Sequence, residues 1–337
     1  MLPKVTIHRL VTKSYVDAIN LIDSFKIMQT IILAWLLLCG IWGSTWLFIK
    51  LGLQDLPPMT FAGIRFLVAS LILGSIIAIR RIDFPRNRRD WQLMAVVGLL
   101  GVALNYGLLF WGEQHISSGL AAVLHASIPL SGMIIAHYHL PAERVTAPKI
   151  GGVLLGISGL VLIFFNQIQM QTSLAVLATA GILLGAIAAA YTSVLAKARG
   201  QNIAPLAFAA GQMVCGFPPL LVIGIATEGN PLNYSWTPLA LGSLLYLAVI
   251  GSCLAFFLFY WLVKKIEVTK TMLIMLVTPL IAVTLGVVFN GEEFNWRLIA
   301  GGVCIISGVG VVLLFKERKH EKNRVGNVSK IAESDGR

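Results

Sequence analysis

Apolar positions along this chain do not alternate with polar ones, and they do not form one-sided stripes. They come in long unbroken stretches separated by short polar loops. Ten stretches can be read, over residues 31–49, 59–79, 91–111, 120–138, 149–167, 174–196, 206–226, 239–263, 272–289 and 298–315. Each is close to the roughly 20 apolar residues that a helix needs to cross a bilayer. The pattern predicts an all-α polytopic membrane protein with ten transmembrane helices. Residues 1–28 lie ahead of the first stretch and are mixed in charge. They lack the compact apolar centre and small-residue cleavage site of a secretory signal and read as a short amphipathic or disordered arm. The residues from 316 to 337 form a basic tail.

The ten stretches divide into two copies of five. Pro129-Leu130 recurs as Pro279-Leu280, Glu143 as Glu293, and Gly151-Gly152-Val153 as Gly301-Gly302-Val303. Trp111 falls on Trp261 and Gly101 on Gly251 at the same spacing, and Ile157-Ser158-Gly159 returns as Ile306-Ser307-Gly308. Nearer the start of each copy, Lys50 falls on Lys197, Pro58 on Pro205 and Phe61-Ala62 on Phe208-Ala209. The period is about half the chain, so this is a duplicated domain and not a solenoid. The copies are placed at 29–167 and 174–315. Five is odd, so the second copy enters the membrane from the opposite side. Inverted repeats of this kind hold a solute site at their interface and open it to either side in turn. The fifth and tenth stretches are short and rich in glycine, which lets backbones approach closely, so they are expected to pack against neighbours outside that site.

Composition agrees. The chain of 337 residues is 57% hydrophobic and only 12% charged, against roughly 25% charged for a soluble domain. The net charge of +11 would suit a nucleic-acid partner, but its distribution argues otherwise. With a cytoplasmic N-terminus, 23 of the 26 Lys and Arg fall on the cytoplasmic side, only Lys50 and Arg297 fall outside, and Arg65 lies within a span. That asymmetry is the positive-inside signal. It predicts a multi-pass protein of the plasma (inner) membrane with both termini cytoplasmic, and it accounts for the basic charge with no nucleic acid. Cys39, Cys215, Cys253 and Cys304 all sit in apolar stretches and show neither a disulfide framework nor metal-ligand spacing.

These residues also resemble a known family. Gly40-Ile41-Trp42-Gly43-Ser44-Thr45-Trp46 stands in the first stretch, and Pro58 with Arg65-Phe66 in the second. Ala121-Ala122 through Pro129-Leu130 stands in the fourth, followed by Glu143-Arg144-Val145-Thr146 and by Gly151-Gly152 through Gly159. Taken together and in order, twice over, they resemble the EamA-type ten-helix permeases of the drug/metabolite transporter superfamily, over about residues 29–315. The resemblance implies a secondary permease, often an exporter, for small metabolites such as amino acids or drug-like compounds, and it implies no cofactor. The second copy departs from the first in two places: Gln212 stands where Arg65 would repeat, and Met275 where His125 would.

Few residues inside the spans carry chemistry. Arg65 is the clear charge at depth, about six residues or roughly 9 Å from the outer end of its helix. It either binds an anionic group of the solute, pairs with Glu113, or snorkels to the surface. His125 lies one turn before Pro129, which cannot donate to the carbonyl of residue 125. The pair marks a polar spot at mid-membrane that serves as a solute contact, a proton relay, or a neutral interhelical bond. Trp42 and Trp46 share a helix face and either line a cavity or meet lipid. Tyr106, Tyr191, Tyr260, Trp111 and Trp261 complete the aromatic set, the last two as interface anchors. Asn105 and Gln212 are mid-span amides able to bridge helices. The expected solute site is a mid-membrane cavity between the halves, drawing on Arg65, His125, Trp42, Trp46, Asn105, Tyr191 and Gln212.

Other motifs carry less. His137 and His139 are two apart and do not share a helix face. Glu143 and Glu293 lie in loops, where a helix-start or salt-bridge contact is expected. Gly156-Ile157-Ser158-Gly159 matches the G-x-S-G of intramembrane serine proteases, but His320 in the tail is the only histidine after it, which leaves Ser158 without a base at membrane depth. The chain holds no phosphate-binding G-x-x-x-x-G-K-[ST] loop. A membrane enzyme or a non-transporting scaffold is the alternative class, and it lacks the clustered carboxylates, histidines or cysteines that an enzyme would show at depth.

Overall fold

A computed structural model describes residues 4–167, 172–290 and 296–314. Among these the chain is entirely helical, and all ten expected spans are present. They are α1 (Lys4–Gly52), α2 (Pro58–Arg80), α3 (Arg88–Gly112), α4 (Ser118–His125 and Ile128–His139), α5 (Ala147–Ile163), α6 (Ser173–Arg199), α7 (Pro205–Glu228), α8 (Pro238–Lys265), α9 (Val268–Met272 and Ile274–Asn290) and α10 (Trp296–Leu314). Nine are long and apolar enough to cross a membrane, while α5 is a shorter apolar helix of 17 residues. The fold is that of a ten-helix polytopic membrane protein. Large apolar side chains such as Leu33, Ile79, Val222 and Ile306 point outward from the bundle, as they must where lipid is the solvent.

Polar residues at the loop ends decide where the helices start. Asn87 accepts the Asp90 N–H at 2.8 Å and caps α3, Thr172 accepts from Ala175 at 3.1 Å to cap α6, and Thr237 accepts from Ala240 at 3.1 Å to cap α8. Prolines stand in the first turns of α2, α5, α7 and α8, where a missing N–H costs nothing. Two starts are capped from a distance. Glu228, at the end of α7, accepts the N–H groups of Met59 and Thr60 at 2.8 Å each and so caps α2. Glu143, in the α4–α5 loop, accepts from Val268 at 2.8 Å and Thr269 at 3.3 Å and caps α9.

Two expectations shift. Within residues 1–28, read as an amphipathic or disordered arm, the part from Lys4 is helical and continuous with α1, whose apolar span begins at Phe25. The α9 helix begins at Val268, four residues before the apolar stretch. Its first turn, Val-Thr-Lys-Thr, is polar in sequence, and the remote Glu143 cap makes it helical. The Glu143 carboxylate therefore has the helix-start role expected of it. Glu293 lies outside the described residues.

Helix packing repeats with the sequence. The α5 helix packs on α10 and α2 on α7; α1 packs on α9 as α6 packs on α4; α3 packs on α6 and α7 as α8 packs on α1 and α2. Exchanging each helix with the one five places on leaves this set unchanged, which is a two-fold relation between the halves. The α5–α10 contact is a close one. A Cβ on Gly159 would lie 2.5 Å from the Gly301 carbonyl oxygen, and one on Gly308 would lie 2.3 Å from that of Gly152. Only glycine permits this approach, so the two Gly-rich helices pack against each other as expected.

Candidate functional site

Each half contains one π-helical stretch, at Gly98–Leu104 in α3 and at Val249–Leu254 in α8. They occupy equivalent places in the two copies, around the repeated Gly101 and Gly251. Each presses on the threonine of a facing helix: a Cβ on Gly101 would lie 2.9 Å from Thr192 Oγ1, and one on Gly251 would lie 2.8 Å from Thr45 Cγ2. Thr45 and Thr192 are themselves repeat equivalents. A wide turn of this kind interrupts the helical ladder, and such turns recur at functional sites.

Beside the first π stretch lies a cavity of about 60 Å³, room for two or three waters. Its lining comes from both halves. The first contributes Trp42, Gly101, Asn105, Tyr106, His125 and Ile128, and the second Ala189, Thr192, Ser193, Gln212, Phe256, Phe259, Tyr260, Met272 and Met275. Neither α5 nor α10 reaches it. No lining residue is charged at neutral pH as a carboxylate, a lysine or an arginine.

Polar groups in the cavity are arranged in pairs. His125 Nε2 lies 3.2 Å from Asn105 Oδ1; a carbonyl oxygen can only accept, so Nε2 carries the proton. His125 ends the first segment of α4, beside the break at Ala126–Ser127, and Pro129 stands in the first turn of the second segment. Across the cavity the Tyr260 hydroxyl donates to Gln212 Oε1. The Trp42 indole packs against Phe256 and Phe259 at ring-centroid distances of 5.7 and 5.4 Å, and its Nε1 is buried without a hydrogen-bond partner. Gln212 Nε2 is likewise buried and unpartnered.

Of the seven expected site residues, Trp42, Asn105, His125 and Gln212 line the cavity. Trp46 stands directly behind, its ring edge-on to His125 at 6.4 Å. Tyr191 turns away to meet His139 at 6.1 Å, while its neighbours Thr192 and Ser193 face the cavity. Arg65 does not line the cavity and does not pair with Glu113. It is 1% exposed; its Nε donates to Ser252 Oγ at 2.9 Å and its Nη2 to the Gly251 carbonyl at 3.2 Å, both in the α8 π stretch. The π turn leaves this carbonyl accessible to a side chain, which is why the cation turns to α8. The guanidinium also lies 5.0 Å from the Phe66 ring and 5.3 Å from the Tyr106 ring.

Phe256, Phe259, Met272 and Met275 were not expected in the lining. Two of the four had a signal in the repeat: Phe256 is the equivalent of Tyr106 and Met275 of His125.

Ionic contacts at the loops join the halves. Buried Lys149 at the start of α5 pairs with Glu267 at 3.0 Å, and Glu267 also meets Lys270 at 3.1 Å. Burial alone would push the Glu267 carboxyl up, but Lys149 and then Lys270 more than offset this and hold it below its ordinary value. At the other face a cleft of about 830 Å³ is lined by Asp55, Trp111, Glu113 and Glu228 among others. There, burial pushes the Glu113 carboxyl up to about 8.

Comparison with known proteins gives the same picture. The model of the EamA-like transporter family matches residues 29–165 and again 176–314. The chain is 27% identical over 281 residues to the uncharacterized transporter YoaV of Bacillus subtilis, spanning 83% of this chain and 95% of that protein. It is 29% identical over 279 residues to the uncharacterized inner membrane transporter YedA of Escherichia coli, spanning 81% and 87%. A solved crystal structure superposes with a TM-score of 0.73 at 17% identity, covering 86% of this chain and 99% of the other, a likeness of fold alone.

Proposed function

This chain belongs to the EamA-like transporter family, and from that premise we propose that it is a secondary permease exporting small metabolites by alternating access. One observation carries the reading: a narrow, aromatic and polar cavity at mid-bundle, built from equivalent helices of two five-helix halves. An interface of inverted repeats is where such a solute site belongs, because rocking one half against the other opens it to each side in turn. On this reading the repeats are residues 29–167 and 174–315, flanked by a cytoplasmic extension at 1–28 and a cytoplasmic tail at 316–337. The uneven Lys and Arg distribution supports both termini in the cytoplasm and insertion in the plasma (inner) membrane. Export, rather than uptake, rests on the family resemblance.

In this reading Trp42, Asn105, His125 and Gln212 touch the solute, and Trp46 backs His125. Arg65 acts from behind Tyr106, and Tyr191 holds α6 against α4. His125 is the lining residue whose side chain can both give and take a proton, so a proton-coupled cycle would run through it. The test is counterflow in proteoliposomes with a pool of labelled amino acids, organic acids and amines. Arg65→Gln and His125→Ala should each lower flux more than Asn105→Ala, and Ser158→Ala should leave it unchanged. Flux of every pool member no faster than in protein-free vesicles refutes a transporter. Loss of flux in Ser158→Ala, with Arg65→Gln and His125→Ala retaining it, puts the site elsewhere.

A further inference from the structure

Resting on that reading, the unfilled hydrogen-bonding capacity around the cavity identifies the class of solute. A buried polar atom without a partner is costly and rare, so those facing one space indicate what belongs there. Among the described residues the unpartnered polar atoms in or next to this cavity are Trp42 Nε1, Gln212 Nε2, Arg65 Nη1 and, between the lining residues His125 and Ile128, Ser127 Oγ. Three of the four are nitrogens carrying hydrogens. The indole and guanidinium groups can only donate. No lining residue leaves a buried acceptor oxygen unpartnered: Asn105 Oδ1 is taken by His125 and Gln212 Oε1 by Tyr260. Unpartnered donors therefore outnumber the acceptors, which are the unprotonated His125 Nδ1 and the Ser127 hydroxyl.

The charge points the same way. Arg65 is fully buried, and its hydrogen-bond partners, Ser252 and Gly251, are neutral. The guanidinium stacks on Tyr106, and Tyr106 lines the cavity. One uncompensated cation stands next to a space whose lining contains no carboxylate, which repels an amine and suits a single negative charge. Phe256, Phe259, Tyr260 and the two methionines supply the surface for an apolar or aromatic body. A cavity of about 60 Å³ is too narrow for such a body, so the halves, or Tyr106 itself, move apart to admit it.

We propose that the solute is a small monoanionic oxyacid, with a carboxylate as its simplest form, whose oxygens are taken by Trp42 and Gln212 and whose charge is balanced by Arg65 behind Tyr106, while its apolar or aromatic body lies against the aromatic wall of α8. Amine cations of the same size are rejected. Zwitterions are accepted only through their carboxylate.

Three probes of one shape separate the alternatives: benzoate, benzamide and benzylamine, an anion, a neutral molecule and a cation at pH 7. Each is tested for thermal stabilisation of the purified protein in detergent and for counterflow in proteoliposomes. Benzoate should stabilise the protein and be carried, benzamide should be at least tenfold weaker, and benzylamine should do neither. Arg65→Gln should abolish the preference for benzoate over benzamide. Arg65→Lys, which keeps the charge, should retain most of it. Trp42→Phe, which removes one donor and keeps the ring wall, should weaken benzoate about fivefold without changing the order. If Arg65→Gln cannot be purified folded, the wild-type order and Trp42→Phe decide the matter. Benzylamine bound as well as benzoate, an Arg65→Gln variant that discriminates as the wild type does, or no binding of any of the three overturns the proposal. The permease reading survives each of these results, because the pooled counterflow assay tests it independently.

Discussion

The Glu143 cap gives the most direct test of how the two halves are joined. Its carboxylate is 4% exposed and accepts the Val268 N–H at 2.8 Å, the Thr269 N–H at 3.3 Å and the Thr269 hydroxyl at 3.2 Å. Val268 and Thr269 are themselves 0% and 1% exposed, so water cannot replace the lost acceptor. Glu143→Ala removes a helix cap, ordinarily about 1–2 kcal/mol, and because the stranded donors are buried the loss moves to the upper end of the roughly 1–3 kcal/mol for unsatisfied groups. The cost is about 3 kcal/mol, felt locally at the start of α9. Hydrogen exchange should read it directly. At about 1.4 kcal/mol per tenfold, the amides of Val268 and Thr269 should exchange roughly a hundredfold faster in Glu143→Ala. In Glu143→Gln, which keeps one acceptor oxygen, the increase should be only several-fold. Burial raises the Glu143 carboxyl, and the N–H bonds from Val268 and Thr269 offset this only in part. A raised carboxyl contributes stability that is present at low pH and lost as pH rises through its folded value, so the deficit of the Gln variant should narrow at higher pH. Unchanged exchange across residues 266–272 in Glu143→Ala would refute the cap as the link between the halves.

Glu113 makes a second pH test. With its carboxyl raised from 4.5 to about 8 by burial, its contribution is full below about pH 4.5 and lost as pH rises through 8; at about 1.4 kcal/mol per unit, reduced for its partial exposure, this is a few kcal/mol at most. Glu113→Gln should therefore melt at the same temperature at pH 6 and pH 9 while the wild type loses stability between them; parallel curves would count against it. At the α5–α10 contact, Gly159→Ala should cost about 1–3 kcal/mol by overpacking, whereas Ser158→Ala, on an exposed position, should stay within about 0.5 kcal/mol; thermal unfolding of the two purified variants compares them, and equal effects would remove the close-packing argument. For topology, single cysteines at Thr172 and Gly229 should react with an impermeant maleimide from outside intact cells, and one at Arg86 should not; labelling at Arg86 would invert the assignment.

The number, order and approximate ends of the ten helices were legible because hydropathy acts over the length of a whole span. The start of α9 was not, because its polar first turn is capped by Glu143, 125 residues earlier in the chain. The repeat carried more information than any single motif. It marked Gly101 and Gly251, which turn out to sit in the paired π stretches, and Gly152, Gly159, Gly301 and Gly308, which meet at the α5–α10 contact. Four of the cavity residues could be found because polar side chains are rare at membrane depth. Arg65 was singled out for the same reason, but its partner could not be read. A π turn redirects a backbone carbonyl without any polar residue to announce it, so nothing in the sequence connects Arg65 with Gly251. Tyr191 was misplaced by angle alone, since the adjacent Thr192 and Ser193 are the ones that face inward.

The two halves share a skeleton but not a set of hydrogen-bonding groups, and the difference is concentrated at the cavity. Tyr106 and Phe110 in α3 correspond to Phe256 and Tyr260 in α8, and the ring centroids within each pair are 6.4 Å apart. The rings are thus repeated, while the hydroxyls stand at non-equivalent places. Arg65 is answered by Gln212 and His125 by Met275. Packing symmetry is what alternating access requires, because the same contacts must close either side. Binding requires the opposite. A site with equal donors on both walls would hold an anion with its charged end toward either half, whereas one cation beside Tyr106 fixes that end against the first half. If the solute is the anion proposed above, its apolar end then lies on Phe256 and Phe259, on a helix of the second half, and each half would grip a different part of the solute. On that proposal, separation of the halves at either face would break one of the two grips, and the attraction to the Arg65 charge would be the stronger to release in a medium that water does not reach.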